Sequence, residues 1–239
     1  MSDATTPLHL IILAGGSGSR ARAGDDARPK QFAVAAGRIL LGWSAHALVA
    51  HPAVASLTVT CAGTWRDTVA PSLPDHPATR FADPGPTRTA STWSALEVLR
   101  GQAAPGEDDL VAVHDAARPF VGTDLLGRLY EAALEAGGAV PGVPVADTIV
   151  TSRPADEGAV SYLDRDTLFA VQTPQVFRWS LLHDVHAWAA AEGAAFTDDG
   201  GLLAARGEPP VIVPGDETNW KITTSADLVR ACELLEASG

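Results

Sequence analysis

The chain has 239 residues, 46% of them apolar, and a formal net charge of -12. That length suits one α/β domain with a substantial core, and no apolar run approaches the roughly 20 residues a membrane-spanning helix needs. The acidity argues against general affinity for DNA, RNA or an anionic membrane, because phosphate polymers are bound through an excess of Lys and Arg.

From the N-terminus, Met1 to Pro7 are polar and lack the positive-then-apolar order of a signal peptide, so a cytoplasmic protein is expected. Residues 8–14 are almost wholly apolar and stop at Gly15, as expected for a strand buried on both faces of a parallel sheet. Residues 41–50 read as a helix stopped at His51-Pro52, 56–62 as a strand, 88–99 as a helix and 110–114 as a short strand. Thr123 is the predicted cap of a helix whose apolar face carries Leu125, Leu126, Leu129, Tyr130 and Ala133, and 139–145 is the next strand. Residues 148–152 and 159–163 are β-rich and flank a turn-like 153–158, which predicts a protruding hairpin. A hairpin alone is marginally stable, so this one should pack on a partner subunit. Helices are predicted at 179–191 and 225–236. The whole, 1–239, reads as a single α/β domain of Rossmann-like type, with a mainly parallel sheet, helices on both faces and a β-arm at about 146–168. Cys61 and Cys232 lack any partner spacing and read as buried thiols.

Of seventeen basic residues only Lys30 and Lys221 are lysines. An ammonium is a compact point charge, whereas guanidinium is a broad fork, so the two positions stand out. The first follows a glycine loop, Leu13-Ala14-Gly15-Gly16-Ser17-Gly18-Ser19-Arg20, placed directly after the first strand, where backbone N–H groups can approach an anion. A Walker A loop is excluded, since no lysine precedes Lys30. Gly16 to Ala21 formally satisfies the dinucleotide pattern G-x-G-x-x-A, but the second strand ends Thr60-Cys61-Ala62-Gly63 without the acidic residue that pattern needs. Arg20, Arg22, Arg28 and Lys30 follow the glycines and suit a nucleoside triphosphate, as in a nucleotidyltransferase loop. A purely structural glycine turn would leave Pro29-Lys30-Gln31 unexplained.

Val113-His114-Asp115-Ala116-Ala117-Arg118 places a carboxylate and a guanidinium at the carboxyl end of a strand. Asp115 there suits a metal-nucleotide site, because Mg²⁺ takes one or two carboxylates plus phosphate oxygens. The alternative is a loop-capping Asp paired with Arg118. His183 and His186 lie three apart with no third ligand and read as a solvated helix face, and Asp198-Asp199 as a helix N-terminal cap beside Thr197.

Taken in order, the glycine loop, Pro29-Lys30-Gln31-Phe32, Val113 to Phe120, Asp164-Arg165, Gln172-Thr173-Pro174-Gln175, Phe196-Thr197-Asp198 and Asn219-Trp220-Lys221-Ile222-Thr223 resemble the 2-C-methyl-D-erythritol 4-phosphate cytidylyltransferase family over nearly the full chain. The resemblance implies transfer of CMP from CTP to a polyol phosphate with Mg²⁺, in non-mevalonate isoprenoid biosynthesis, by a homodimer joined through the β-arm. It implies that Ala14, Gly15, Gly16, Gly18, Arg20 and Lys30 bind CTP, with Gly85, Arg88 and Ser91 near the base and Ala116 beside the ribose. Lys30, Lys221, Arg20 and Asp115 would be catalytic, with Asp115 at the metal. Arg118, Thr148, Arg165 and Thr197 would hold the polyol phosphate, Arg165 reaching across the dimer. Leu13-Ala14-Gly15-Gly16 replaces the family's usual Pro-Ala-Ala-Gly, a form that ribitol-5-phosphate cytidylyltransferases also use, so ribitol 5-phosphate is an alternative acceptor. An NAD(P)-dependent oxidoreductase and a catalytically silent dimeric binding protein are the more distant alternatives. The geometric expectation is that both ammonium groups face one pocket bounded by Gly16, Asp115 and Arg118.

Overall fold

The computed structural model describes residues 5–16, 29–152 and 159–237. In chain order the elements are β1 (Leu8–Leu13), a small pair β2 (Val34–Ala35) and β3 (Arg38–Ile39), α1 (Leu40–Val49), β4 (Val54–Thr60), α2 (Arg66–Val69), β5 (Thr79–Ala82), α3 (Arg88–Ala103), β6 (Leu110–Asp115), α4 (Thr123–Ala136) and β7 (Gly138–Pro144). They continue with β8 (Val150–Ser152), β9 (Val160–Tyr162), β10 (Phe169–Val171), β11 (Gln175–Arg178), α5 (Trp179–Glu192), α6 (Asp199–Ala205), β12 (Val211–Pro214) and α7 (Ser225–Ala237).

Strands β6, β1, β4 and β5 pair in parallel, in that order. Alternation of side chains sends β1 into two cores. Leu8, Leu10 and Ile12 pack with Leu41, Ala45 and Leu48 of α1 and Leu125, Leu126 and Leu129 of α4. Ile11, with Val111 and Val113 of β6, faces Ala95, Leu96 and Leu99 of α3 and Leu182, Val185 and Ala189 of α5. Helices therefore cover both faces, and β1 has no polar face because neither face meets water.

The sheet is mixed beyond β6. Strand β11 lies antiparallel between β6 and β7, β10 pairs antiparallel with the far end of β7, and β12 runs parallel to β7. Strands β5, β10, β11 and β12 and helix α6 are too short to announce themselves by periodicity. Thr123 is the first helical residue rather than the cap; Gly122 holds the cap position and no side-chain cap bond forms. In the arm, Val150 pairs with Tyr162 and Ser152 with Val160, antiparallel as predicted; its turn, 153–158, lies outside the described residues. Cys61 is buried, but Cys232 is only half-buried. Among the described residues no helix is long and apolar enough to cross a membrane.

A third, smaller core joins the two ends of the chain. Ile222 and Leu228, Ala231 and Leu235 of α7 pack on Ala35 and Leu40, so the segment carrying Lys221 is held against the one that follows Lys30.

Candidate active site

Strands β1 and β6 run side by side with Leu13 opposite Asp115, and the Ala116 N–H donates to the Leu13 carbonyl at 3.1 Å. Their carboxyl ends therefore bring the glycine loop and Asp115 to one edge of the sheet, where ligands of such folds collect. A cleft of about 570 Å³ opens there. Lys30, Lys221, Arg88 and Asp115 all line it, together with Gly15, Gly16, Gln31, Gly85 and Ser91. Three cations against one carboxylate make an electropositive cleft in an acidic protein.

Each wall has a local cause. The Gln31 side-chain amide donates to the carbonyls of Ala14 at 2.8 Å and Gly16 at 2.7 Å, fixing the glycine turn. A Cβ on Gly15 would sit 2.2 Å from Pro84 Cβ, so only glycine lets the turn after β1 touch the segment before α3. Thr87 caps α3 by accepting from the Ala90 N–H at 3.1 Å, and Ser91 Oγ accepts from the Gly85 N–H at 3.1 Å. That places Arg88 in the first turn of α3, at the cleft.

The Lys30 ammonium donates to the Ile222 carbonyl, so the first of the two lysines is tied to the C-terminal segment. Lys221 Nζ lies 2.6 Å from Asp115 Oδ2, and Arg88 Nε 3.4 Å from Asp115 Oδ1. Arg88 Nη1 also donates to Asp199 Oδ2 at 2.7 Å, and Asp199 Oδ1 accepts from His186 Nε2 at 2.9 Å. Burial alone would raise the Asp115 pKa; Arg88 and Lys221 beside it hold it well below the usual carboxylate range. Asp199 behaves likewise: against burial, Arg88 and then His186 lower it to about 2.

The turn between β10 and β11 organises the rest. Thr173 Oγ1 accepts from the Asp115 N–H at 3.0 Å, and the Thr173 carbonyl accepts from Asn219 Nδ2 at 2.8 Å. Gln172 exchanges two hydrogen bonds with the Asp216 backbone, at 2.7 and 3.1 Å. Gln175 binds Asp198 Oδ2 at 2.7 Å and accepts from the Asp199 and Gly200 N–H groups at 3.2 and 3.0 Å. One turn thus sets Asp115, the Lys221 segment and the start of α6.

Against the sequence expectations, the structure brings Gly15, Gly16, Lys30, Gly85, Arg88, Ser91, Asp115 and Lys221 to one cleft. Arg118 does not line it; its guanidinium donates to the Asn219 carbonyl at 2.7 Å and more weakly to that of Val171 at 3.5 Å, because burial turns it onto the backbone behind Lys221. Ala14 and Ala116 have methyl groups in the core beneath the cleft. Thr148, Arg165 and Thr197 are exposed and away from the cleft lining, Arg165 donating to the Ala146 carbonyl at 2.9 Å. Gly18 and Arg20 lie outside the described residues.

Two readings need correction. His186 is not on a solvated face: it is 0% exposed, because α5 buries Trp179, Leu182, His186 and Ala189 on one stripe. That three-and-four spacing was the signal available in the sequence. His183 is half-buried, its ring between those of Trp93 and Trp179 at 5.2 and 4.9 Å. Asp198 does cap α6, accepting from the Gly201 N–H at 3.2 Å, but Asp199 is buried as the partner of Arg88.

Among the described residues no group of three or more His, Cys, Asp or Glu side chains could hold a metal by itself. Among those same residues Asp115 is the one carboxylate on the cleft lining, with a cation at each oxygen. A single carboxylate suits a Mg²⁺ ion arriving on nucleotide phosphates, which asks for only one or two carboxylates, provided Lys221 or Arg88 yields an Asp115 oxygen to it.

Burial of His9 and His114 ties folding stability to pH. Burial lowers the pKa of His9, which lies between Ser56 Oγ at 2.8 Å and Asp109 Oδ2 at 3.2 Å, and lowers that of His114 to about 4. The unfolded chain therefore takes up protons first below the ordinary value of 6.5, and folding stability falls as pH drops from there towards about 4. The urea midpoint should decrease from pH 7 to pH 5; a flat midpoint would contradict neutral, buried imidazoles.

Residues 8–237 match the family model of 2-C-methyl-D-erythritol 4-phosphate cytidylyltransferase (IspD). The 2-C-methyl-D-erythritol 4-phosphate cytidylyltransferase of Gloeobacter violaceus is 35% identical over 232 residues, covering 96% of each chain. The bifunctional enzyme IspD/IspF of Sphingopyxis alaskensis is 38% identical over 98% of this chain, which spans 58% of that protein's length. The crystal structure of the cytidylyltransferase of Thermus thermophilus superposes with a TM-score of 0.75 at 34% identity, covering 96% of this chain and 98% of that one. That of Francisella tularensis gives 0.78 at 27% identity, covering 95% and 98%.

Proposed function

Because the chain belongs to the 2-C-methyl-D-erythritol 4-phosphate cytidylyltransferase family, we propose that its cleft transfers CMP from CTP to 2-C-methyl-D-erythritol 4-phosphate, releasing pyrophosphate. The observation that carries this reading is the meeting of Lys30 and Lys221, from opposite ends of the chain, in one cleft with Gly15, Gly16 and Asp115. An acceptor phosphate oxygen attacks the α-phosphorus of CTP in line; the new P–O bond forms as the bond to the leaving pyrophosphate breaks. No covalent enzyme intermediate is needed, so the protein positions the reactants and stabilises growing negative charge. Lys30 and Lys221 flank the α-phosphate, Gly15 and Gly16 admit the phosphates close to the backbone, and Arg88 and Ser91 hold the nucleoside end. Asp115 would hold Mg²⁺, which when bound offsets charge on the phosphate oxygens.

The acceptor phosphate falls to Arg118, Thr148, Thr197 and Arg165, with Arg165 supplied by a second copy of the chain. Support comes from the arm: Val150, Val160 and Tyr162 are exposed, as are Phe169 and Val171 of β10 and Ile212 of β12. A two-stranded ribbon with this apolar surface gains stability by packing on a partner. Pyrophosphate release with CTP and Mg²⁺ should require 2-C-methyl-D-erythritol 4-phosphate. Turnover with ribitol 5-phosphate alone would overturn the acceptor, and a monomer in sedimentation velocity would overturn the shared site.

A further inference from the structure

His186 has no part in the chemistry described above, yet it is fully buried and spends its Nε2–H on Asp199. An ionised carboxylate only accepts, so Nε2 carries the proton. That bond fixes the plane of the Asp199 carboxylate and turns Oδ2 towards Arg88, which it meets through Nη1 at 2.7 Å. The Arg88 Nε faces Asp115. Arg88 Nη2 is shielded from solvent and has no hydrogen-bond partner among the described residues, while Arg88 itself lines the cleft.

An Arg and a carboxylate left alone prefer two parallel hydrogen bonds. If His186 released Oδ1, a rotation of the Asp199 carboxylate would let both its oxygens take Nη1 and Nη2 of Arg88. Gln175 does not prevent that rotation, since it holds the Asp199 backbone and the Asp198 side chain instead. We propose that His186 is a positioning residue for nucleotide binding: by fixing the orientation of the Asp199 carboxylate it keeps Arg88 singly paired there, and so holds the guanidinium in its place on the cleft wall where the nucleotide meets it. Two carboxylates hold that guanidinium, Asp115 at Nε and Asp199 at Nη1. This deepens the CTP reading and rests on it; pyrophosphate release by the parent enzyme tests that reading separately.

The test uses the full-length chain and measures CTP affinity by calorimetry alongside kcat. His186→Phe keeps the ring volume and removes the donor, and His186→Asn keeps a polar amide but is too short to replace Nε2. Each should weaken CTP binding about tenfold, the worth of one hydrogen bond to a charged group, with kcat at saturation within about twofold and the acceptor KM unchanged. His186→Gln, which can present an amide N–H near the Nε2 position, should restore affinity to within about twofold. Leu203→Ala, a core change in the same helix as Asp199, should lower the Tm without moving CTP affinity. In an Arg88→Ala background the His186 substitutions should have no further effect on affinity, because the route through Arg88 is gone. The proposal is overturned if Phe and Asn variants bind CTP like the parent, or if they lose as much affinity without Arg88 as with it. If the parent turns over a different nucleoside triphosphate, the same series with that nucleotide decides the role of His186.

Discussion

Lys221→Ala is expected to lower kcat for CTP-dependent pyrophosphate release by about 10² to 10³, the cost of removing one preorganised donor from a developing oxyanion. Lys30→Ala should cost a similar factor. The two ammonium groups reach the cleft from different supports: Lys30 bonds the Ile222 carbonyl, and Lys221 pairs with Asp115 at 2.6 Å. Each is thereby held at a defined point before substrate arrives. Lys→Arg at either position should rescue little, because a planar fork cannot place its charge where a single nitrogen stood. Rates at saturating CTP and acceptor decide the matter. Near-normal turnover in either arginine variant would sink the assignment of both lysines to the α-phosphate.

Asp115→Asn should also reduce kcat by about two orders of magnitude, in a manner distinguishable from misfolding. The substitution keeps the shape and the backbone N–H that Thr173 Oγ1 accepts. It removes the negative charge that Arg88 and Lys221 share. The cleft then becomes more positive, so metal-free CTP should bind as well as or better than in the parent. Mg²⁺ should be needed at higher concentration, because the protein has lost its carboxylate ligand there. Calorimetry in chelator and a Mg²⁺ titration of turnover separate the two effects. A variant with parental kcat and parental Mg²⁺ dependence would remove Asp115 from the metal.

The alternating strands and helices were legible because a parallel strand buried on both faces is almost wholly apolar and a surface helix apolar on one side. Residues 8–14 show the first pattern and Leu125, Leu126, Leu129 and Tyr130 the second. Gly15, Gly16 and both lysines, which meet at one cleft, stood out in the sequence for a chemical reason: phosphate binding would call for backbone approach and point charge. What misled was local reading of polar residues. His186 looked like a surface group because histidine tolerates water, and only the stripe from Trp179 to Ala189 betrayed its burial. Gln31, Gln172 and Gln175 belong to segments that carried the resemblance, but what each amide binds was not legible, since an amide that fastens a distant backbone looks the same in sequence as one that faces solvent. The main-chain carbonyls that Arg118 binds were equally invisible to a local reading.

The amino-acid sequence by itself determined the layered α/β architecture, the glycine loop and the residue types of the cleft, because those follow from local periodicity and from what phosphate chemistry demands. Only the tertiary structure decided which charges meet. Lys30 and Lys221 converge because α7 packs on the β2–β3 segment. Asp115, Arg88, Asp199 and His186 form one line of polar contacts because β6, α3, α6 and α5 stack at one edge of the sheet. Such contacts depend on distances between residues far apart in the chain, and short-range sequence patterns carry no measure of those distances.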